Sequence, residues 1–136
     1  MGTAQNPRLP INQKQFALSL IVGAVLWFIA ALMLQLMGPM GVYDGISRFI
    51  LYALIVPGTV PFLIIGFRIA GLADHQRFIG VSVMLMAAML LDGIALAWFP
   101  ALYGDTAELI AGAGGTILWG AGVAAFLGYL MNKPNA

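Results

Sequence analysis

The sequence predicts an all-α integral membrane protein, a four-helix bundle with its N- and C-termini in the cytoplasm. Of its 136 residues, 62% are hydrophobic and only 8% are charged, whereas soluble domains carry about 25% charged residues. Such a chain has too few polar side chains to cover a surface in water, so the lipid bilayer is its expected solvent. Its four apolar stretches are each long enough to cross a bilayer core of ~30 Å.

The composition also excludes several kinds of site. The chain has no cysteine and a single histidine, His75, which excludes disulfides, thiolate metal sites and sites with two histidines from one chain. The formal net charge of +1 argues against nucleic-acid binding. Met33, Met37 and Met40 lack cysteine or histidine support, so we expect them to fill gaps in the core or face lipid rather than bind copper. No metal and no cofactor are therefore expected.

The elements follow in order along the chain. Residues 1–15 are polar and are expected to form an N-terminal tail, and residues 132–136 a C-terminal tail. The first span, residues 16–37, has 22 residues, whereas the apolar region of a signal peptide has roughly 7–15. It is therefore predicted to be a retained helix. The other spans of the transmembrane domain, residues 16–131, are predicted at 46–70, 78–99 and 106–131.

The basic residues near the span ends predict the orientation. Five of them lie on the side of the two tails: Arg8, Lys14, Arg68, Arg77 and Lys133. Only Arg48 lies on the other side. Because lysine and arginine favour the cytoplasmic side, both termini are expected in the cytoplasm of a bacterial inner membrane. Tyr43, Trp98 and Tyr103 are then expected at the outer interface, where aromatic residues are enriched.

The middle of the second span predicts a helix break. The predicted break comprises Pro57, Gly58, Thr59 and Pro61. Because each proline lacks an N–H group and clashes with the carbonyl four residues earlier, the helix is expected to kink or open there. The hydroxyl of Thr59 is the nearest donor for a carbonyl left unpaired. Trp27 and Trp119 lie inside their spans and need acceptors for their indole N–H groups, and a freed carbonyl would serve.

The fourth span carries small residues at four-residue spacing. They are Gly112, Thr116, Gly120, Ala124 and Gly128. Small residues one turn apart form a flat seam on which another helix can approach closely. The seam is expected to pack inside the four-helix bundle, and the alternative is a homodimer interface.

Asp92 is the only ionisable residue in the interior of an apolar stretch. A charge at the centre of a membrane helix is unfavourable by about 2.5–3.5 kcal/mol on insertion scales, so Asp92 needs a partner. We expect an intramembrane polar cluster in which Arg48 forms a salt bridge with Asp92 and Gln35 joins them. Two alternatives stay open. Asp92 titrates beside the broken helix, as in ion-coupled carriers, or it bonds only to the backbone or to Ser and Thr hydroxyl groups.

Two short motifs carry a family resemblance. The run Met89-Leu90-Leu91-Asp92 followed by Trp98-Phe99-Pro100, with Gly23-Ala24-Val25-Leu26-Trp27 in the first span, resembles a bacterial family of small four-helix membrane proteins known only as a domain of unknown function. The resemblance covers most of residues 16–130. The resemblance implies a four-helix membrane fold. It implies no activity, because the family has none assigned. Gln35 stands where the family would carry an arginine, which makes Arg48 the expected partner of Asp92.

These observations favour a protein without catalytic activity. An enzyme site needs convergent acid, base and nucleophile groups, and the spans supply no such set. We expect a non-enzymatic structural or accessory component of a membrane assembly, with the lipid bilayer and a homodimer or larger membrane complex as partners. The alternative is a small proton- or ion-coupled carrier that acts as a homodimer through Asp92 and the broken second helix.

Overall fold

The computed structural model describes residues 8–134, and the outermost parts of both predicted tails lie outside this range. Within it the chain has four α-helices and no strand, which confirms the all-α four-helix class. Each helix is long and apolar enough to cross a membrane. The helices are α1 (Gln13–Met37), α2 (Gly45–Ala70), α3 (Arg77–Trp98) and α4 (Ala107–Met131). Short 3-10 turns at Gly38–Met40, Asp74–Gln76 and Pro100–Leu102 lie in the three connections.

Helix α1 begins inside the segment that was predicted to be a polar tail. The Asn12 side chain accepts a hydrogen bond from the Gln15 N–H at 2.8 Å, and the Gln15 side chain accepts one from the Asn12 N–H at 2.9 Å. This reciprocal capping satisfies two N–H groups that the first turn leaves without helical partners. Ile11, directly before the cap, is only 1% exposed. Helix α1 therefore starts at Gln13, before the first residue of the predicted span.

The helices pack in two halves along the bundle. Helix α1 packs most extensively against α3, and α4 packs against both α2 and α3, while α1 and α4 touch least. Gly23 permits the close α1–α3 approach, because a Cβ atom at this position would collide with the backbone carbonyl of Met84. One core cluster is centred on Val81, near the end that carries the two tails, and the other on Tyr103, near the far end.

The seam of small residues on α4 faces the chain's own bundle. A Cβ atom added to Gly128 would lie 2.9 Å from Cγ2 of Val81, and one added to Gly112 would collide with the ring of Tyr43. Thr116 and Ala124 are buried. Gly120 alone of the five has open space beside it. The seam is therefore used for packing within the bundle, with open space only beside Gly120.

Helix α2 does not open at Pro57 and Pro61, because it is continuous from Gly45 to Ala70 with both prolines inside it. A kink at these prolines stays a prediction. Each proline removes one N–H group, and the flanking residues keep their helical conformation, as membrane helices tolerate. The Thr59 hydroxyl donates at 2.6 Å to the carbonyl of Ile55, which lies one turn earlier in the same helix. This carbonyl is not one that a proline leaves without a donor.

The indole of Trp119 finds its acceptor on α2, close to the predicted position. Its Nε1–H donates to the Tyr52 carbonyl at 2.9 Å, and the two rings stack with centroids 5.3 Å apart. Tyr52 directly precedes the residue whose carbonyl Pro57 leaves without a helical donor. This contact ties α4 to α2 in the middle of the bundle.

Candidate functional site

Asp92 forms the end of a short hydrogen-bonded chain inside the bundle. The Tyr103 hydroxyl donates to Oδ1 of Asp92 at 2.6 Å, and the same hydroxyl accepts a hydrogen bond from Nε1 of Trp27 at 3.2 Å. Asp92 is 8% exposed and Tyr103 is fully buried. The chain of bonds links α1, α3 and the connection between α3 and α4, so one carboxylate fixes the relative positions of three parts of the fold.

The connection after α3 positions Tyr103. Helix α3 ends at Trp98, and Pro100 opens a 3-10 turn in which the Tyr103 N–H donates to the Pro100 carbonyl at 2.9 Å. The turn directs the phenol back into the bundle toward Asp92. Burial raises the pKa of Tyr103 well above its usual range, and the hydrogen bond to Asp92 acts in the same direction. The phenol is therefore a permanent donor at neutral pH.

The predicted cluster of Asp92 with Arg48 and Gln35 is wrong. Nε of Arg48 donates to the Tyr43 carbonyl at 2.6 Å, and Nε2 of Gln35 donates to the Ala101 carbonyl at 3.3 Å. Neither side chain reaches Asp92, and the two salt bridges found among residues 8–134 both lie at the opposite end of the bundle. The physical reason is that a neutral phenol satisfies the carboxylate without the desolvation that a buried guanidinium would require.

Two tyrosines that were expected at the outer interface fold inward instead. Tyr43 and Tyr103 are both buried, and their rings form part of the far core cluster, whereas Trp98 is 72% exposed. The sequence prediction missed Tyr103 as the partner of Asp92 because it treated every aromatic residue near a span end as an interfacial anchor. The signal that could have found it is the tight turn opened by Pro100, which returns the chain over the end of α3.

A half-open cavity of about 450 Å³ is lined by residues of all four helices and opens at the surface beside exposed residues such as Met33 and Leu54. Its polar lining consists of Asp92, Trp27, Thr59 and Thr116. The hydroxyls of the two threonines donate to carbonyls of their own helices. Asp92 is therefore the only ionisable residue in an otherwise apolar lining.

Glycines on two facing helices leave this space open. A Cβ atom built on Gly58 of α2 or on Gly120 of α4 would meet no atom within 4 Å. The cavity thus brings Asp92 together with residues that the sequence suggested for other reasons: Gly58, Thr59, Thr116, Gly120 and Ala124. The other candidate residues lie outside its lining: Arg48, Gln35, Pro57, Pro61, Gly112 and Gly128.

The chemistry available at this site is recognition of a polar group in an apolar setting. A carboxylate offers about four acceptor positions, and the Tyr103 bond fills one of them. Asp92 can accept a further hydrogen bond or pair with a cation, and its apolar surroundings strengthen either interaction.

Comparison of the chain with known protein families, characterised proteins and solved structures gives no match. The resemblance to a family of small four-helix membrane proteins therefore stays a prediction.

Proposed function

We propose that this protein is a non-enzymatic, membrane-embedded binding protein that holds one small lipophilic molecule in its central cavity. The observation that carries the proposal is a buried carboxylate in the wall of an apolar cavity of about 450 Å³. Ligand sites typically have volumes of about 300–1,000 Å³ and combine apolar walls with a few convergent polar groups. The cavity has both properties.

The chemistry of the lining defines the class of ligand. An apolar body would fill the space beside Gly58 and Gly120, and one hydrogen-bond donor or cationic group would face Asp92. A polar water-soluble compound would lose its hydration without regaining hydrogen bonds from these walls. The ligand is therefore a lipophilic compound with one donor group, such as an amine, and it enters from the bilayer.

A role in a membrane assembly is compatible with ligand binding, and such a component would respond to the occupancy of its cavity. The carrier alternative is favoured by one observation, that Asp92 lines the cavity together with Gly58 and Thr59 of α2. A carboxylate that meets the ligand could exchange a proton for it, as intramembrane carboxylates in carriers do.

The binding proposal is tested with the purified full chain in mild detergent. The probe is a fluorescent lipophilic amine, compared with an uncharged analogue of the same size. The variant Gly120→Leu places a side chain in the cavity, and Gly122→Leu is its matched control, because Gly122 also has open space but does not line the cavity. We expect a loss of affinity of about tenfold or more for Gly120→Leu and none for the control. Equal affinities in the two variants would contradict the proposal.

Asp92→Asn separates the two forms of the proposal. If the carboxylate pairs with a cation, the variant weakens binding of the amine and leaves the uncharged analogue unaffected. In proteoliposomes, uptake of the amine driven by a pH gradient and abolished by Asp92→Asn would favour the carrier. Binding without uptake would favour an accessory role.

A further inference from the structure

A second cavity lies at the end of the bundle that carries both tails, apart from the central cavity. Its volume is about 330 Å³. Arg68 at the end of α2 and Arg77 at the start of α3 line it. The other walls are apolar and include Ile64, Phe67, Leu72 and Met131.

Arg77 is held rigidly in this pocket. Its NH2 lies 2.9 Å from Oδ1 of Asp74, its NH1 donates to the Met131 carbonyl at 3.2 Å, and its guanidinium carbon lies 5.4 Å from the centre of the Phe67 ring. Nε of Arg77 is buried and has no hydrogen-bond partner among the described residues.

Arg68 supplies a charge that the fold does not use. Its side chain is exposed, and within residues 8–134 it forms no hydrogen bond or ion pair. Lys133 and Arg77 both approach Asp74, at 3.7 Å and 2.9 Å. The positive charges of Arg68, Arg77 and Lys133 and the negative charge of Asp74 give this region a net charge of +2.

The pocket is charged at its mouth and apolar further in. Arg68 lies in the last turn of α2, and Ile64 lies four residues earlier, about 6 Å deeper by the helical rise. A free phosphate ion would gain nothing from the apolar walls. A phospholipid would place its phosphate at the arginines and its first acyl carbons against the apolar residues, as lipids do in basic pockets between membrane helices.

We propose that this pocket binds one anionic phospholipid, with the phosphate held by the guanidinium groups of Arg68 and Arg77. The proposal does not depend on the function of the central cavity. If the basic side is cytoplasmic, as the sequence predicts, the site faces the leaflet in which anionic lipids attract basic residues.

The test uses the full chain, stripped of lipid in detergent, and native mass spectrometry with phosphatidylglycerol or with phosphatidylcholine of the same acyl chains. We expect the wild type to bind phosphatidylglycerol more tightly. Arg68→Gln should weaken that binding about fivefold, from a contribution near 1 kcal/mol per basic residue, and leave phosphatidylcholine unchanged. The fold should survive, because Arg68 makes no contact on which it depends.

The matched control is Arg48→Gln, which removes one arginine from the opposite end of α2 and should leave lipid binding unchanged. Equal affinities for the two lipids, or an equal loss in both variants, would overturn the proposal. Inorganic phosphate is a separate arm of the experiment. If it displaces the lipid at micromolar concentration, the site recognises free phosphate and the assignment to a lipid is wrong.

Discussion

Replacing Tyr103 with phenylalanine removes the hydroxyl that joins Trp27 to Asp92. That hydroxyl makes two hydrogen bonds, at 2.6 Å to Asp92 and at 3.2 Å from Trp27. Hydrogen bonds inside a membrane protein average about 0.6 kcal/mol in double-mutant cycles, with a maximum near 1.7. Two such bonds correspond to about 1–3 kcal/mol of unfolding free energy. We expect the upper part of that range, because Tyr103→Phe leaves two buried polar groups without their partner.

The assay is reversible unfolding of the full chain in mixed micelles, followed by tryptophan fluorescence. Tyr43→Phe is the matched control. Tyr43 is also buried, but its hydroxyl approaches the Leu34 carbonyl only at 3.5 Å, where a hydrogen bond is weak. Combining Tyr103→Phe with Asp92→Asn should give a non-additive free energy, because the two residues share one bond. If Tyr103→Phe unfolds as Tyr43→Phe does, or if the double change is additive, the hydrogen-bonded chain contributes nothing and this reasoning is refuted.

Three further predictions concern the rest of the bundle. Gly23→Ala should lower the unfolding free energy by about 1–3 kcal/mol, as overpacking does, because the added Cβ would meet the Met84 backbone. Gly58→Ala is the control and should be neutral, because the space beside Gly58 is open. Equal effects of the two changes would contradict the close α1–α3 approach. Arg48→Ala should change stability by less than about 0.5 kcal/mol, since Arg48 is exposed and its one side-chain hydrogen bond is to a backbone carbonyl. If Asp92→Asn partly recovered a larger loss, the salt bridge between Arg48 and Asp92 would be supported after all. Reporter fusions after Lys133 and within residues 71–77 should read as cytoplasmic, and a fusion within residues 38–45 should read as periplasmic. A periplasmic C-terminus would refute the predicted orientation.

The fold could be predicted from the sequence because one physical effect dominates it. Long apolar stretches in a chain with few charges have to become helices in a bilayer, since only helices and closed barrels satisfy their backbone there. The turn chemistry of the connections then placed the helix ends within a few residues. The start of α1 was missed because the capping pair Asn12 and Gln15 lies in sequence that reads as polar tail.

The site could be predicted only in part, because composition does not fix the direction of side chains. Asp92 was identifiable from the unfavourable free energy of a buried charge, but its partner depends on the turn after α3. Arg48 was the attractive partner on charge alone, whereas the geometry selects the neutral phenol of Tyr103. Helix α2 does not open at its two prolines, because the loss of two N–H groups does not outweigh the remaining helical bonds. The central cavity results from the placement of Gly58 and Gly120 on facing helices, which no local pattern reveals.

The measurement that tests the central claim most directly is photolabelling of the full chain by a photoreactive lipophilic amine, with the labelled residues mapped by mass spectrometry. We predict labels on residues that line the central cavity and are not exposed on the outer surface, such as Met84 and Met89. These labels should disappear in Gly120→Leu and persist in Gly122→Leu. Labels spread over exposed residues outside the lining, such as Phe49 and Leu118, and unchanged by Gly120→Leu would show that the amine partitions into the surrounding detergent and that the cavity is not a binding site.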